Sequence, residues 1–510
     1  HRKTLSQMTL RNSTAAYEAL KDRFNRLSAL GGAQAVLHWD RATMMPEGGA
    51  AARAEQQAVL SLIAHETLTA PDTAELLAEA EDAASSLGEW DRANLAEMVR
   101  IHAHATATPA DLVMRLSRQK SETEMIWRRA RAANDYASLA PALDKLISLV
   151  REQAAAKAEA LGLSPYDALL DSYDPGRRAN DIDRLFAELE AFLPDLLREV
   201  MEHQASEAAP LVPEGPFPVA RQEELGREVM RLMGFDFAHG RLDVSHHPFT
   251  GGVPDDSRIT TRYDEADFTE SLMAVIHETG HSLYERGLPA EWRGQPVGRA
   301  RGMTIHESQS LLYEMQAART EGFIAFLTPH FRAAFGGNGP AWEVDNILRH
   351  YRKVRPSLIR VQADEVTYPL HVMLRYRLER AMIAGDLEAR DLPAAWNDGM
   401  QSLLGITPPD DASGCMQDIH WPSGSFGYFP TYTLGALAAA QLFAAAKQAE
   451  PGLEAALGQG DFAPLTRFVR EKVHGIGARM TPDEIILHAT GEPLGVSAFR
   501  RHINRRYLSK

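Results

Sequence analysis

What most limits the fold of this chain is how little of it escapes helical periodicity. Apolar residues recur three and four apart through Tyr17 to Leu30, Ala51 to Ala64, Leu95 to His104, Pro109 to Ala132 and Leu139 to Leu161. The pattern continues from Asp181 to Glu202 and from Ala220 to Met233, the second after a loop marked by Pro210, Pro213, Pro216 and Pro218. Beyond Thr304 it predicts helices through Phe326, from Trp342 to Val354, from Thr367 to Ala384 and from Thr431 onward. Only Gly240 to Tyr263 reads as short strands, joined by a turn near Gly251-Gly252. The expected fold is therefore mainly α, with a small β-sheet just before the next helix. No Gly/Ser linker, charge block or repeat divides the chain. One domain over 1–510 is expected, with an N-terminal helical part over about 8–235 and a part over about 236–510 that carries the candidate chemistry.

Charge and cysteine content narrow the function classes. A formal charge of −15 argues against a broad phosphate-binding surface, so no nucleic-acid partner is expected. Cys415 is the only cysteine, which excludes an intramolecular disulfide and a Cys-based metal site; it suits a reducing cytoplasm and reads as a buried thiol. The first 30 residues show no continuous apolar core of a secretory signal. Leu434 to Ala446, interrupted by Gln441, falls short of the roughly 20 apolar residues of a membrane span and reads as a buried Ala-rich helix.

The chemistry concentrates in Val275-Ile276-His277-Glu278-Thr279-Gly280-His281. Four apart on a helix, His277 and His281 share a face and can aim imidazole nitrogens at one zinc ion. Glu278 lies one position round, beside the metal, where a carboxylate can take a proton from water. Asp267 and Glu270 suggest a capping box at the start of this helix, and Gly287 with Pro289 marks its end. Catalytic zinc takes three protein ligands and keeps one position open. A metzincin continuation would need Gly at 284 and His at 287, where this chain has Tyr284 and Gly287. A glutamate on a following helix remains, and Glu307 in His306-Glu307-Ser308-Gln309 supplies it, 26 residues (307 − 281) after His281. His65-Glu66-Thr67 imitates the motif, but Thr69 stands where a second histidine would be needed, and it reads as a surface helix end.

Several further motifs occur in order: Leu37-His-Trp39-Asp40 with Met45-Pro46, His247-Pro248-Phe249, Asp256-Ser-Arg258-Ile-Thr260, Gln362-Ala363-Asp364-Glu365, Gly414-Cys-Met-Gln417-Asp418-Ile-His420-Trp421 and Tyr428-Phe-Pro-Thr-Tyr432. With the metal motif they make the chain resemble the carboxypeptidase Taq family of metallocarboxypeptidases over nearly its whole length. The resemblance implies a neurolysin-like helical body with a deep groove. It also implies a homodimer and release of single C-terminal residues from peptides with broad side-chain tolerance. The chain differs from the family pattern at Gln362, where an acidic residue is usual, and at Leu311 and Met315.

Within that resemblance His247, His420 and Tyr432 are candidate donors to a tetrahedral oxyanion. A free terminal carboxylate is best met by an arginine fork; Arg360 is the first choice and Arg258 the second. Asp256, Gln417 and Asp418 read as groups that orient ligands and substrate contacts. The expected cofactor is one Zn2+ per chain, with Co2+ a possible substitute. The expected partners are peptides with a free C-terminus, with no membrane. A metallo-oligopeptidase or endopeptidase with the same zinc site is the rival reading, and a peptide-binding protein with a structural metal is a more remote one.

Overall fold

A computed structural model describes residues 2–82 and 84–508, with side chains from residue 14. Helices dominate, and the one sheet among the described residues has three strands: β1 (Gly240–Val244), β2 (Phe249–Val253) and β3 (Asp256–Thr261). β3 is central, parallel to β1 and antiparallel to β2. The β2–β3 hairpin turns tightly because Gly252 takes φ +87°, where a Cβ would meet the Asp256 carbonyl.

The first helix runs over Arg2–Thr43, well past the expected Leu30 and straight through Gly31 and Gly32. Tertiary packing explains the extension. It crosses the β2 edge at Gly32, where a Cβ would stand 3.1 Å from Val253 Cγ1, and it buries Trp39 between the guanidiniums of Arg241 and Arg258. The helix thus covers a strand edge that would otherwise offer unpaired backbone groups.

A main apolar cluster draws on residues from Leu112 to Tyr507 and so crosses the boundary expected near 235. A smaller one (Tyr17, Leu20, Phe24, Leu77, Leu95, Met98) holds the N-terminal helices together. A third, with Met230, Phe235, Leu242, Ile259 and Val275, seats the sheet on the His277 helix. The Ala-rich segment lies in a largely buried helix, Pro430–Ala449, Cys415 is buried, and His65 and Glu66 are exposed near the end of helix Ala50–Thr69. No helix among the described residues is long and apolar enough to cross a membrane.

Two expectations need correction. The helix expected through Phe326 is broken: Gly302–Leu311 is α-helical, Leu312–Ala317 forms a π-turn, and a new helix spans Glu321–Phe335. Thr320 caps the new helix through Phe323 N, so the break is stabilised locally. The capping box at Asp267 is only half made: its carboxylate accepts from the N–H and hydroxyl of Thr269, and Glu270 does not complete it.

Candidate active site

Helix Phe268–Gly287 carries His277, Glu278 and His281 mid-length, anchored by buried Leu272, Val275, Ile276 and Leu283. Small residues decide how close its neighbours come. A Cβ on Gly280 would lie 2.7 Å from the Gln309 carbonyl, and one on Gly435 would lie 2.7 Å from Glu307 Cβ. Helix Gly302–Leu311 is therefore held between the His277 helix and the Ala-rich helix, with Glu307 pressed towards the histidines.

One Glu307 carboxylate oxygen sits 3.8 Å from His277 Nε2 and 3.5 Å from His281 Nε2, and the three ligand atoms lie within 4.8 Å of one another. Bonds of about 2.0–2.1 Å to a tetrahedral ion place neighbouring donors roughly 3.4 Å apart, so the donor set fits zinc. All three side chains are partly exposed, leaving room for a further ligand from the open side.

The other ring nitrogens are occupied, which leaves the Nε2 atoms facing the centre. His277 Nδ1 lies 2.9 Å from Glu314 Oε2, in the π-turn, and Arg319 donates to the other Glu314 oxygen at 2.9 Å. His281 Nδ1 lies 2.6 Å from His306 Nδ1, whose Nε2 is 2.8 Å from Glu285. Thr250 of β2 donates to Glu278 Oε2 at 2.7 Å. Burial opposes a charged His277, yet Glu307 and Glu314 outweigh it and lift the group to about 10. The same surroundings that favour a proton there favour a metal cation.

A second cluster flanks the triad. Arg360 is buried; its Nε and Nη2 donate to Asp418 Oδ1 at 3.1 and 2.7 Å and its Nη1 to the Tyr368 hydroxyl at 2.7 Å. Arg375, fully buried, donates to Asp418 Oδ2 at 2.6 Å, so one carboxylate serves two guanidiniums. Burial works against the Asp418 anion, but Arg375 and Arg360 hold its carboxyl far below the usual range. Gln417 accepts from the Arg360 backbone N–H at 2.8 Å. His420 Nε2 lies 3.2 Å from the Tyr432 hydroxyl, and burial pushes His420 down to about 3, so the ring is neutral. Tyr368, Tyr428 and Tyr432 all feel the charge of Glu307, which ties this cluster to the triad.

The remaining expected residues lie elsewhere. Arg258 pairs with Asp256 at 2.8 and 3.0 Å and stacks on Trp39, on the sheet side. His247 is exposed in the turn after β1, its ring against His246, and none of the described contacts joins it to the triad. The sequence reading assigned no role to Glu314, Glu285, Thr250, Tyr368 or Arg375. Glu314 lies in the π-turn that follows the Glu307 helix, so α-helical spacing from Glu307 does not place it, and for Thr250 and Arg375 local sequence carried no signal.

The family model for carboxypeptidase Taq (M32) metallopeptidases matches residues 19–507. This chain belongs to that family. It is a metallocarboxypeptidase, a hydrolase of peptide bonds. Thermostable carboxypeptidase 1 of Thermus thermophilus is 37% identical over 517 residues, covering 97% of this chain and 99% of that protein. Metallocarboxypeptidase 1 of Trypanosoma cruzi superposes with a TM-score of 0.95 at 42% identity, covering 97% of this chain and 99% of its own. The M32 carboxypeptidase of Deinococcus radiodurans R1 superposes with a TM-score of 0.90 at 36% identity, covering 97% and 99%.

Proposed function

We propose that this M32 carboxypeptidase is zinc-dependent, with cobalt a workable substitute, and releases single residues from peptide C-termini with broad side-chain tolerance. His277, His281 and Glu307 hold the ion. The observation that carries this reading is the convergence of two imidazole nitrogens and one carboxylate oxygen within 4.8 Å, with Glu278 beside them. A divalent ion in that position would acidify water and polarise the scissile carbonyl.

Glu278 takes the proton from the attacking water and delivers it to the leaving amine. The Thr250 hydroxyl fixes one of its oxygens and leaves the other for transfer. The Tyr432 hydroxyl, steered by neutral His420, donates to the developing oxyanion. For His247 to take part as well, the exposed turn carrying it must close over the triad. Arg360 binds the terminal carboxylate: Asp418 neutralises only one of two buried guanidiniums, so one positive charge remains to be matched. Arg258 already has a carboxylate partner and ranks second. We further propose one domain over 1–510, a cytoplasmic location and a homodimer, on the lone cysteine and the family resemblance.

A mass-spectrometric time course on an unblocked peptide tests the reading. Single residues should leave in order from the C-terminus, stop after chelation and resume when zinc or cobalt is restored. Paired internal fragments from a C-terminally amidated peptide would overturn it in favour of an endopeptidase.

A further inference from the structure

Moving outward from the triad, the partly exposed wall beyond Tyr428 becomes basic. The Tyr428 ring meets Tyr173 edge-on at 5.1 Å. Next to Tyr173, the Ser172 hydroxyl lies 3.0 Å from Lys157 Nζ. Gly424 is crossed by the stem of Lys120, whose Cε would be 2.4 Å from a Cβ at that position. Glycine is favoured there by its φ of +76°. Lys120 and Lys157 come from the successive helices Ala110–Ala133 and Tyr136–Leu161, and both are half-buried.

Neither ammonium has a carboxylate partner among the described residues, and Asp171, the acid whose charge reaches Lys157, is already engaged. Asp171 receives His104 at 2.9 Å, Arg100 at 3.4 Å and Arg178 at 3.5 Å. Burial, with Lys120 nearby, lowers Lys157 to about 8. Two ammonium groups in one neighbourhood, half out of water and without a carboxylate partner, are costly unless an anion joins them. That this occurs on a chain of net charge −15 makes the local excess more specific.

We propose that Lys120 and Lys157 form an anion subsite that receives a carboxylate side chain of the peptide substrate, upstream of the residue being released. The inference rests on the peptide-trimming reading above. In that reading Arg360, bonded to Tyr368, takes the terminal carboxylate, so lysines set beyond Tyr428 and Tyr173 are assigned to a residue upstream of it. Ammonium groups on flexible stems suit a side-chain carboxylate that arrives in varied orientations, in contrast to the rigid arginine fork.

The test uses free-acid peptides identical except for Glu or Gln at each position from the second to the fifth from the C-terminus. Specificity constants are measured for the metal-loaded wild type, Lys120→Met, Lys157→Met and Lys157→Glu. At one position the wild type should favour Glu over Gln by about tenfold or more, the scale of a hydrogen bond to a charged group. Either methionine variant should collapse that ratio, and Lys157→Glu should reverse it. Equal rates for Glu and Gln at every position in the wild type would overturn the subsite, as would a preference that survives both methionine variants. A loss that is the same for Glu and Gln peptides would also overturn it, by assigning the lysines to the terminal carboxylate or to the fold. A wild type that trims none of the peptides would overturn the peptide-trimming reading as well.

Discussion

The triad and the Arg360 cluster adjoin each other but are unbalanced in opposite senses. Around the triad four carboxylates, Glu278, Glu285, Glu307 and Glu314, face three imidazoles, with Arg319 the one guanidinium bonded to them among the described residues. Around Asp418 two buried guanidiniums share one carboxylate. The first arrangement is completed by a cation and the second by an anion. In the proposed reading a divalent metal and a peptide's terminal carboxylate supply these, and the charge pattern anticipates both.

The largest effects should come from the triad. Glu278→Gln keeps size and hydrogen bonding while removing basicity, so it should lower turnover by about 10²–10⁴-fold with metal content unchanged. Glu307→Ala should instead lose the metal itself, read by elemental analysis after gel filtration. Stoichiometric, tightly held metal in that variant would mean another third ligand. The cation side of the contrast would then need redrawing.

The anion side is tested by Arg360→Ala. Loss of a shielded bidentate contact should lower the specificity constant on free-acid peptides by tens to thousands-fold, about 2–5 kcal/mol in transition-state binding, with little change on amides. Lys at 360 should rescue only in part, since it lacks the planar fork. If Arg258→Ala shows the selective loss instead, the carboxylate site belongs beside Trp39.

Smaller effects should follow from groups that act through others. Glu314→Gln leaves His277 Nδ1 without its anionic partner and should weaken metal affinity about 10–100-fold, measured by competition with a chelator. Glu379 gives the smallest effect. Burial lifts this carboxyl to about 7 although Tyr166, Trp421 and the Gly427 N–H donate to it. Its folded pKa lies above the unfolded value, so stability is fully present at pH 4 and declines as pH rises towards and through 7. Glu379→Gln should therefore compare more favourably with wild type in Tm at pH 8 than at pH 5. A Tm difference independent of pH would show that Glu379 does not titrate in that range.

Spacing along one helix determined a good deal by itself. The i, i+4 histidines with Glu278 between them define the face of the candidate metal site, because helical geometry alone brings such residues together. Amphipathic periodicity gave several helices, such as Ala110–Ala133, Tyr136–Leu161 and Val219–Leu232, to within a few residues but missed Pro71–Glu81 and Leu392–Leu404, and the strand-like stretch after Gly240 gave the sheet. Periodicity could not place the end of the first helix, because Gly31-Gly32 signals a stop and only the contact with Val253 carries the helix onward. Nor could it find the π-turn that presents Glu314 to His277, since the Leu312–Ala317 stretch is as apolar and regular as the turns before it. Thr250 beside Glu278, Arg375 sharing Asp418 with Arg360, and His306 behind His281 lie 28, 15 and 25 residues from those partners in sequence. His306 is placed by how closely three helices pack at Gly280 and Gly435, whereas Thr250 reaches in from the sheet and Arg375 from the helix Tyr368–Ala384. Sequence specifies the ligands of one helix because their geometry is local; only the tertiary structure decides which charges face them, because that depends on distances between elements.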